Sequence, residues 1–306
     1  MSLAIICPGK DPESWIDAIH SQDPTIDIQV YPNIDRPEDV EAAVVWQHPK
    51  GILSEYPNLK LVSSMGAGVD HILTDTSIPE HLPIVRIVDE KLTWSMTNYV
   101  VMGVLNFHRQ ITRYQKDKTR KVWDMSNPEI EVKVGVMGVG ALGFDVLEKL
   151  DFMGFPVVGL GFSEKTDFPY PYFPKSRMED FLKEVNVVVC LMPLTPDTQD
   201  ILNLNFFEKC NPGTYLINVA RGKHLVEEDL PVAFDKGYLS GALLDVYRTE
   251  PLPENHPFWN LEKLTLTPHI ASVTNPSAAV PQVLDNIKRA KANEDLQNLV
   301  DRSKGY

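Results

Sequence analysis

At 306 residues and 43% hydrophobic content, the chain is long enough for two globular domains of ordinary size. Its formal charge of −13 argues against a nucleic-acid partner, because phosphate recognition needs a basic face; a small anionic substrate, for which one pocket arginine suffices, is not excluded. No apolar run approaches the roughly 18–20 residues of a membrane span. The first residues carry no signal-peptide pattern, and the widely spaced Cys7, Cys190 and Cys210 suit buried thiols, so a cytoplasmic location is expected.

The first ninety-odd residues alternate short apolar runs with helical or turn segments. Ala4–Cys7, Asp27–Tyr31, Ala42–Trp46, Lys60–Ser64 and Ile84–Val88 predict strands, and Asp11–Ser21 predicts a helix. Such alternation predicts a parallel sheet with helices on both faces, hence a small α/β domain. Leu92 to about Trp123 predicts one long helix, with Tyr99, Val100, Val104 and Phe107 among its apolar positions and basic residues crowding its later part. A long helix joining two domains suits a hinge and a subunit contact, so a homodimer is expected. After residue 160 the rhythm continues. Val185–Met192, Thr214–Val219, Leu239–Val246 and Thr265–Pro268 predict strands, Glu227–Lys236 a helix, and Pro276 to about Val300 a last helix returning to the amino-terminal domain.

The stretch from Lys133 to Leu160 organises the middle of the chain. Val134, Val136 and Met137 suit a buried parallel strand, and Gly138-Val-Gly140-Ala141-Leu142-Gly143 follows at once. From Ala141 to Met153, Leu142, Val146, Leu147 and Leu150 fall on one helical face, and Pro156–Leu160 predicts the next strand. Strand, glycine turn, helix, strand is the dinucleotide-binding βαβ unit. Gly138 permits the tight turn, Gly140 lets backbone approach a pyrophosphate, and Gly143 lets helix and strand pack closely. The helix's first N–H groups then face the phosphates. GxGxxG alone equally describes a flexible turn; the flanking strand and helix decide.

In an open α/β sheet, ligands sit at the carboxyl ends of the strands. Arg221 follows one predicted strand, Asp245 ends the next with Glu250 in the loop beyond, and His269 follows the last. A histidine, with an ordinary pKa of about 6.5, can give and take a proton near neutral pH. Glu250 can hydrogen-bond its ring and orient it. Arg221 can clamp a carboxylate and polarise the neighbouring carbonyl toward hydride from a nicotinamide. Singly, each residue reads as structural or superficial; their convergence points to an active site. No CxxC, HExxH, GxSxG or GxxxxGK[ST] occurs, so no metal site is expected, and acyl transfer and nucleotide hydrolysis lose ground.

Asn218-Val-Ala-Arg221-Gly222, Leu244-Asp245 through Glu250-Pro-Leu252, and Pro268-His269-Ile-Ala-Ser272 resemble, in order and spacing, the motifs of the D-isomer-specific 2-hydroxyacid dehydrogenases. Ser64-Met-Gly66-Ala67-Gly68-Val-Asp70 and the end Val300–Tyr306 resemble the A-type glyoxylate/hydroxypyruvate reductases of that family. The resemblance spans essentially the whole chain. It implies two doubly wound parallel-sheet α/β domains: a flavodoxin-like substrate domain over 1–97 plus 275–306, and an NAD(P)-binding Rossmann domain over 98–274. It implies that Arg221 binds the substrate's carboxylate and carbonyl, that His269 protonates the carbonyl oxygen, and that Glu250 holds His269. Asp245 would contact the nicotinamide carboxamide. Gly138, Gly140, Ala141, Leu142, Gly143, Leu194, Thr195, Pro196, Val219, Ala220 and Ser272 would line the cofactor. Ala67 and Gly68 would offer N–H groups to the carboxylate, and Trp46 would wall the substrate pocket. The implied activity is reduction of small 2-ketoacids such as glyoxylate or hydroxypyruvate. The alternatives are a phosphoglycerate- or lactate-type dehydrogenase and a cofactor-sensing corepressor; formate dehydrogenases pair their histidine with glutamine, against Glu250 here.

One position departs from the pattern. NAD-preferring members place an acid at the end of the second strand for the ribose 2′-OH, and Gly161 stands there instead. Ser163 and Lys165 can receive a 2′-phosphate, although Glu164 is adjacent and the arginine usual in A-type reductases is missing. NADP is therefore favoured over NAD.

Overall fold

The apolar runs of the first ninety residues form one parallel sheet: β1 (Ser2–Ile6), β2 (Asp27–Val30), β3 (Val40–Val45), β4 (Leu61–Ser64) and β5 (Ile84–Val85), with helices α1 (Glu13–Gln22) and α2 (Asp70–Leu73) between them. The structure, a computed structural model, describes residues 2–162 and 164–306. The chain divides into two units, Met1–Leu92 with Val273–Tyr306, and Thr93–Ser272. In the first the strand order is β2-β1-β3-β4-β5, the flavodoxin-like arrangement. Alternate residues of β1 and β3 face opposite sides, and both sides are covered. Leu3, Ile5 and Val44 pack with Trp15 and Ile19 of α1 and with Val280, Val283 and Ile287 of helix Pro276–Ala292, while Ile6, Ala43 and Val45 pack with Leu53, Tyr56 and Ile72. The last helix is shorter than its composition predicts. Asn293 adopts a left-handed conformation (φ 56°) that ends it, and Leu299 pairs with Val85 instead.

The second unit contains α3 (Glu90–His108, from Thr93 onward), α4 (Ile111–Arg120), β6 (Val134–Met137), α5 (Ala141–Phe152), β7 (Val157–Gly161), β8 (Tyr172–Pro174), α6 (Met178–Glu184), β9 (Val187–Cys190), α7 (Leu204–Lys209), β10 (Thr214–Asn218), α8 (Asp229–Asp235), β11 (Leu239–Leu244) and β12 (Leu264–Leu266). All seven strands are parallel, in the order β8-β7-β6-β9-β10-β11-β12, which is the Rossmann order extended by one strand. The order reverses between β6 and β9, so the crevice expected to take a ligand opens at their carboxyl ends.

The single long helix predicted over 92–123 is two helices. Gln110 turns left-handed (φ 55°), and the end of α3 is held by Ile130, whose N–H donates to the His108 carbonyl. No proline or glycine announces this break. Helix α3 lies against the sheet because Gly103 has no side chain: a Cβ there would stand 2.7 Å from Leu243 and 3.0 Å from Ile217. Phe107 stacks on Tyr215 of β10 one turn later, with centroids 4.6 Å apart. Among the described residues, no helix is long and apolar enough to cross a membrane.

Candidate active site

The glycine turn after β6 has the shape its residues predict. Gly138 takes φ +98°, and a Cβ on it would lie 2.6 Å from the Leu191 carbonyl oxygen, at the exit of β9. A Cβ on Gly143 would lie 1.9 Å from the Gly138 carbonyl oxygen, so only glycine lets α5 start this close to the strand. Gly140 is different: nothing stands within 4 Å of where its Cβ would be, and as N-cap of α5 it provides no side-chain cap. An open space over an uncapped first turn fits a pyrophosphate, so the residues present suit the dinucleotide the motif implies. Ala141 and Leu142 follow in that first turn. The facing loop, with Leu194, Thr195 and Pro196, is shaped by buried Thr198, whose hydroxyl donates to the Pro193 carbonyl (2.7 Å) and accepts from the Thr195 N–H (2.8 Å).

Strands β10, β11 and β12 lie side by side, and each delivers one candidate at its carboxyl end. After β10 the chain turns through buried Val219 and Ala220 to Arg221. Asn218 holds that turn, its side chain accepting from Ala220 N–H and donating to the Arg221 carbonyl. After β11, Asp245 is only 1% exposed. Its carboxylate accepts from Thr267 Oγ1 (2.6 Å), Ile270 N–H (2.8 Å) and Ala271 N–H (2.8 Å). Tyr99 hydrogen-bonds Thr267 Oγ1 in turn, and the Thr267 N–H donates to the Tyr247 hydroxyl (3.1 Å). The segment on both sides of His269 is thus pinned, and His269 itself sits in the left-handed region (φ 56°). Its Nδ1 lies 2.7 Å from Glu250 Oε2, with both side chains about 30% exposed. Burial works to raise the Glu250 pKa. Hydrogen bonds from His269 and the Tyr247 N–H, and the charges of His269 and Arg221, outweigh it and hold the carboxyl below its usual range.

The family model for the NAD binding domain of D-isomer specific 2-hydroxyacid dehydrogenases matches residues 101–271. The chain belongs to this family. Over its whole length it is 35% identical to glyoxylate/hydroxypyruvate reductase A of Yersinia enterocolitica, itself covered in full. Two solved structures covered by it almost entirely are similar throughout. One is a D-isomer specific 2-hydroxyacid dehydrogenase of Xanthobacter autotrophicus in complex with NADPH and MES (TM-score 0.94, 32% identity, 99% of that chain). The other is an NADPH-dependent glyoxylate/hydroxypyruvate reductase of Sinorhizobium meliloti with NADP and sulfate (TM-score 0.92, 34% identity, 99% of that chain).

In this dehydrogenase chain the candidates for substrate contact, Trp46, Ala67 and Gly68, lie in the first unit. Trp46 directly follows β3, and its Cζ3 would touch a Cβ on Gly66 at 3.2 Å, so the indole abuts the Gly66-Ala67-Gly68 turn. Ser64 ties that turn: its hydroxyl donates to the Gly68 carbonyl (2.8 Å) and accepts from Gly66 N–H (3.2 Å). The indole has His71 on one side (centroids 4.9 Å apart) and the Lys10 ammonium 4.0 Å from its ring centroid. The segment after Trp46 is anchored by Asp75, which accepts from His48 Nε2 (3.1 Å) and Gly51 N–H (3.0 Å). Lys10, His71 and this buried pair were not legible in the sequence, because nothing local marks a side chain that packs across a sheet end. His224 is a further omission: fully buried, it lies between the carbonyls of Arg221 and Pro193 and so links the arginine turn to the loop of Leu194. Lys165 has its ammonium 5.1 Å from the Phe168 ring; Ser163 lies outside the described residues. Ser272 closes the second unit, three residues beyond His269.

Proposed function

We propose that the protein reduces small 2-ketoacids, glyoxylate and hydroxypyruvate, to D-2-hydroxyacids with NADPH, and with NADH less well. The observation that carries this reading is the 2.7 Å contact between His269 and Glu250 at the carboxyl end of a Rossmann sheet, beside the Arg221 turn. The names of the relatives and the NADP-bound neighbours support the activity and the cofactor choice. Cofactor binding is assigned to the seven-stranded unit and substrate recognition to the five-stranded one.

When bound, the nicotinamide supplies hydride to the carbonyl carbon. Arg221 holds the substrate carboxylate with its planar fork and draws electron density from the adjacent carbonyl. Protonated His269 delivers its proton to the carbonyl oxygen as the carbon is reduced, giving the hydroxyl, and regains a proton from solvent. Glu250 stays ionised because its pKa is lowered, fixes the ring through Nδ1, and leaves Nε2 to face the substrate. Within the five-stranded unit, the Ala67 and Gly68 backbone N–H groups suit a carboxylate, and the Trp46 indole lies against their turn. Asp245 reaches the nicotinamide carboxamide. Assembly as a homodimer is part of the proposal, supported by Trp123 at 91% and Met125 at 76% exposure in the segment after α4. A cytoplasmic location goes with it.

The deciding experiment is oxidation of NADPH by the purified protein with a panel of short 2-ketoacids. His269→Ala should abolish turnover while NADP+ still binds; full turnover by that variant would refute the proton-donor role.

A further inference from the structure

We propose that Tyr172 selects the 2′-phosphorylated cofactor by filling the space that a ribose-binding carboxylate would need. This rests on the cofactor reading above.

Strand β8 runs beside β7, with Tyr172 opposite Gly159 and Pro174 opposite Gly161. A Cβ on Gly161 would lie 2.5 Å from the Tyr172 hydroxyl oxygen and 3.3 Å from two of its ring carbons. Position 161 is therefore already occupied: a carboxylate cannot be added there until the phenol moves. Gly159 repeats the pattern two residues earlier, where a Cβ would stand 3.1 Å from Phe168 and 2.9 Å from Val139. Alternate glycines on one face of β7 thus seat two aromatic rings. Those rings belong to a wall: Tyr172 meets Phe168 with centroids 5.3 Å apart, and Phe168 meets Tyr170 and Phe144, at 6.0 and 5.9 Å. Phe144 is in the first turns of α5, so the wall leans on the glycine-turn helix. Tyr172, half-buried, is backed by Phe168 on the Gly159 side, so yielding to a side chain at 161 means giving up that packing.

Two ammonium groups flank the same strand end. Lys165 lies over the Phe168 ring. Lys175, directly after β8, has its Nζ 5.2 Å from the centroid of Phe162, the residue after Gly161. It also donates to the Asp197 carbonyl (3.2 Å) and is 3.6 Å from the Asp197 carboxylate. Glu164 is exposed beside Lys165. The end of β7 therefore presents a phenol and two cations where an NAD-preferring site presents a carboxylate. A 2′-phosphate, with about −1.5 to −2 charge at neutral pH, gains donors and opposite charge there. A bare 2′-OH loses the acceptor that would have bound it. Both effects favour the same nucleotide.

Calorimetric titration of the full-length protein with NADP+, NAD+, 2′-AMP and 5′-AMP tests this without turnover, alongside thermal melting. The wild type should bind NADP+ at least about tenfold more tightly than NAD+, a difference of about 1.4 kcal/mol. Gly161→Asp should melt lower and lose affinity for both. The double variant Gly161→Asp with Tyr172→Val should recover the melting temperature and raise its NAD+/NADP+ affinity ratio at least about tenfold over Gly161→Asp alone. Lys165→Met with Lys175→Met should weaken 2′-AMP about tenfold and leave 5′-AMP unchanged. Gly161→Asp alone melting like the wild type, or shifting the ratio as far as the double variant, overturns the role of Tyr172 and leaves the cofactor reading intact. A wild type that binds NAD+ as tightly as NADP+ refutes the preference itself.

Discussion

Gly222 separates the arginine turn from the segment that leads to Glu250, and its substitution by alanine tests how rigidly the two are coupled. A Cβ at 222 would lie 1.9 Å from the Tyr247 carbonyl carbon, 2.0 Å from its oxygen and 2.4 Å from the Arg248 nitrogen. All three are backbone atoms, so no rotamer change relieves the overlap, and the segments must part by about 1.5 Å to reach ordinary contact. Arg221 is adjacent on one segment; on the other, the Tyr247 N–H holds Glu250 Oε1 at 2.9 Å. Parting them moves the guanidinium away from the histidine–glutamate pair. Overpacking of this kind costs about 1–3 kcal/mol of stability, and an ångström of misplacement costs about a hundredfold in rate. For Gly222→Ala we expect kcat/KM for glyoxylate to fall about a hundredfold and Tm to drop by several degrees, at about 2–4 °C per kcal/mol. NADP+ affinity should stay within about threefold, because the glycine turn of α5 is untouched. Steady-state kinetics, calorimetric titration and a melting curve check the three. Gly222→Ala with kcat/KM within threefold of wild type would show that the close approach does not position the arginine.

Gly140→Ala should behave in the opposite way: with open space at the Cβ and φ −76°, folding tolerates it, so Tm should hold while NADP+ binding weakens at least about tenfold by isothermal titration. Glu250→Gln removes the charge beside His269 and should lower kcat by about 10²–10⁴ with NADP+ affinity unchanged; an unaltered kcat would refute the pairing as functional. The wild-type contribution of Glu250 should persist with falling pH until the solution passes below the usual carboxylate range, because its folded pKa is depressed. In the first unit, burial pushes the His48 pKa down. Burial also works against the Asp75 carboxylate, but hydrogen bonds from Ser77, Gly51 and His48 win and place it at about 2. Neutral His48 is thus the folded form, donating Nε2–H to Asp75. Stability should therefore be full above the unfolded histidine pKa of about 6.5 and decline below it, then lose the Asp75 share from about pH 3.8 down toward 2. Chemical denaturation across that range checks the sign, and Asp75→Ala should cost about 2–4 kcal/mol at pH 7 and flatten the lower limb.

The difference between what was legible and what was not follows the range of the interactions involved. Arg221 and His269 stand out because each comes just after an apolar strand, and Glu250 because it lies in the loop beyond the next strand end; strand ends are where a parallel sheet presents its ligands. Their meeting in space is not a local property. His269 reaches Glu250 through a left-handed residue that its own side chain does not favour, and the cost is met by hydrogen bonds to Asp245 and Tyr247, more than twenty residues upstream. A buried aspartate and tyrosine after β11 read, in one dimension, as part of a motif and not as the clamp on the following strand's loop. Gly161 shows the same limit. The missing acid is visible in a count from the glycine turn, but what fills its place comes from β8. That strand has three residues, lies after an aromatic and proline-rich stretch without periodicity, and escaped prediction, as did α6 and α7. The break between α3 and α4 was hidden for a related reason: His108 is held by Ile130, in the loop that leads to β6, and no helix-breaking residue marks the place. In each case the local pattern specifies the element, and a contact across the sheet specifies the geometry on which chemistry depends. Substitutions at Gly222 or Tyr172, neither of them a hydride or proton donor, should therefore change turnover or cofactor choice as much as many substitutions in the pocket itself.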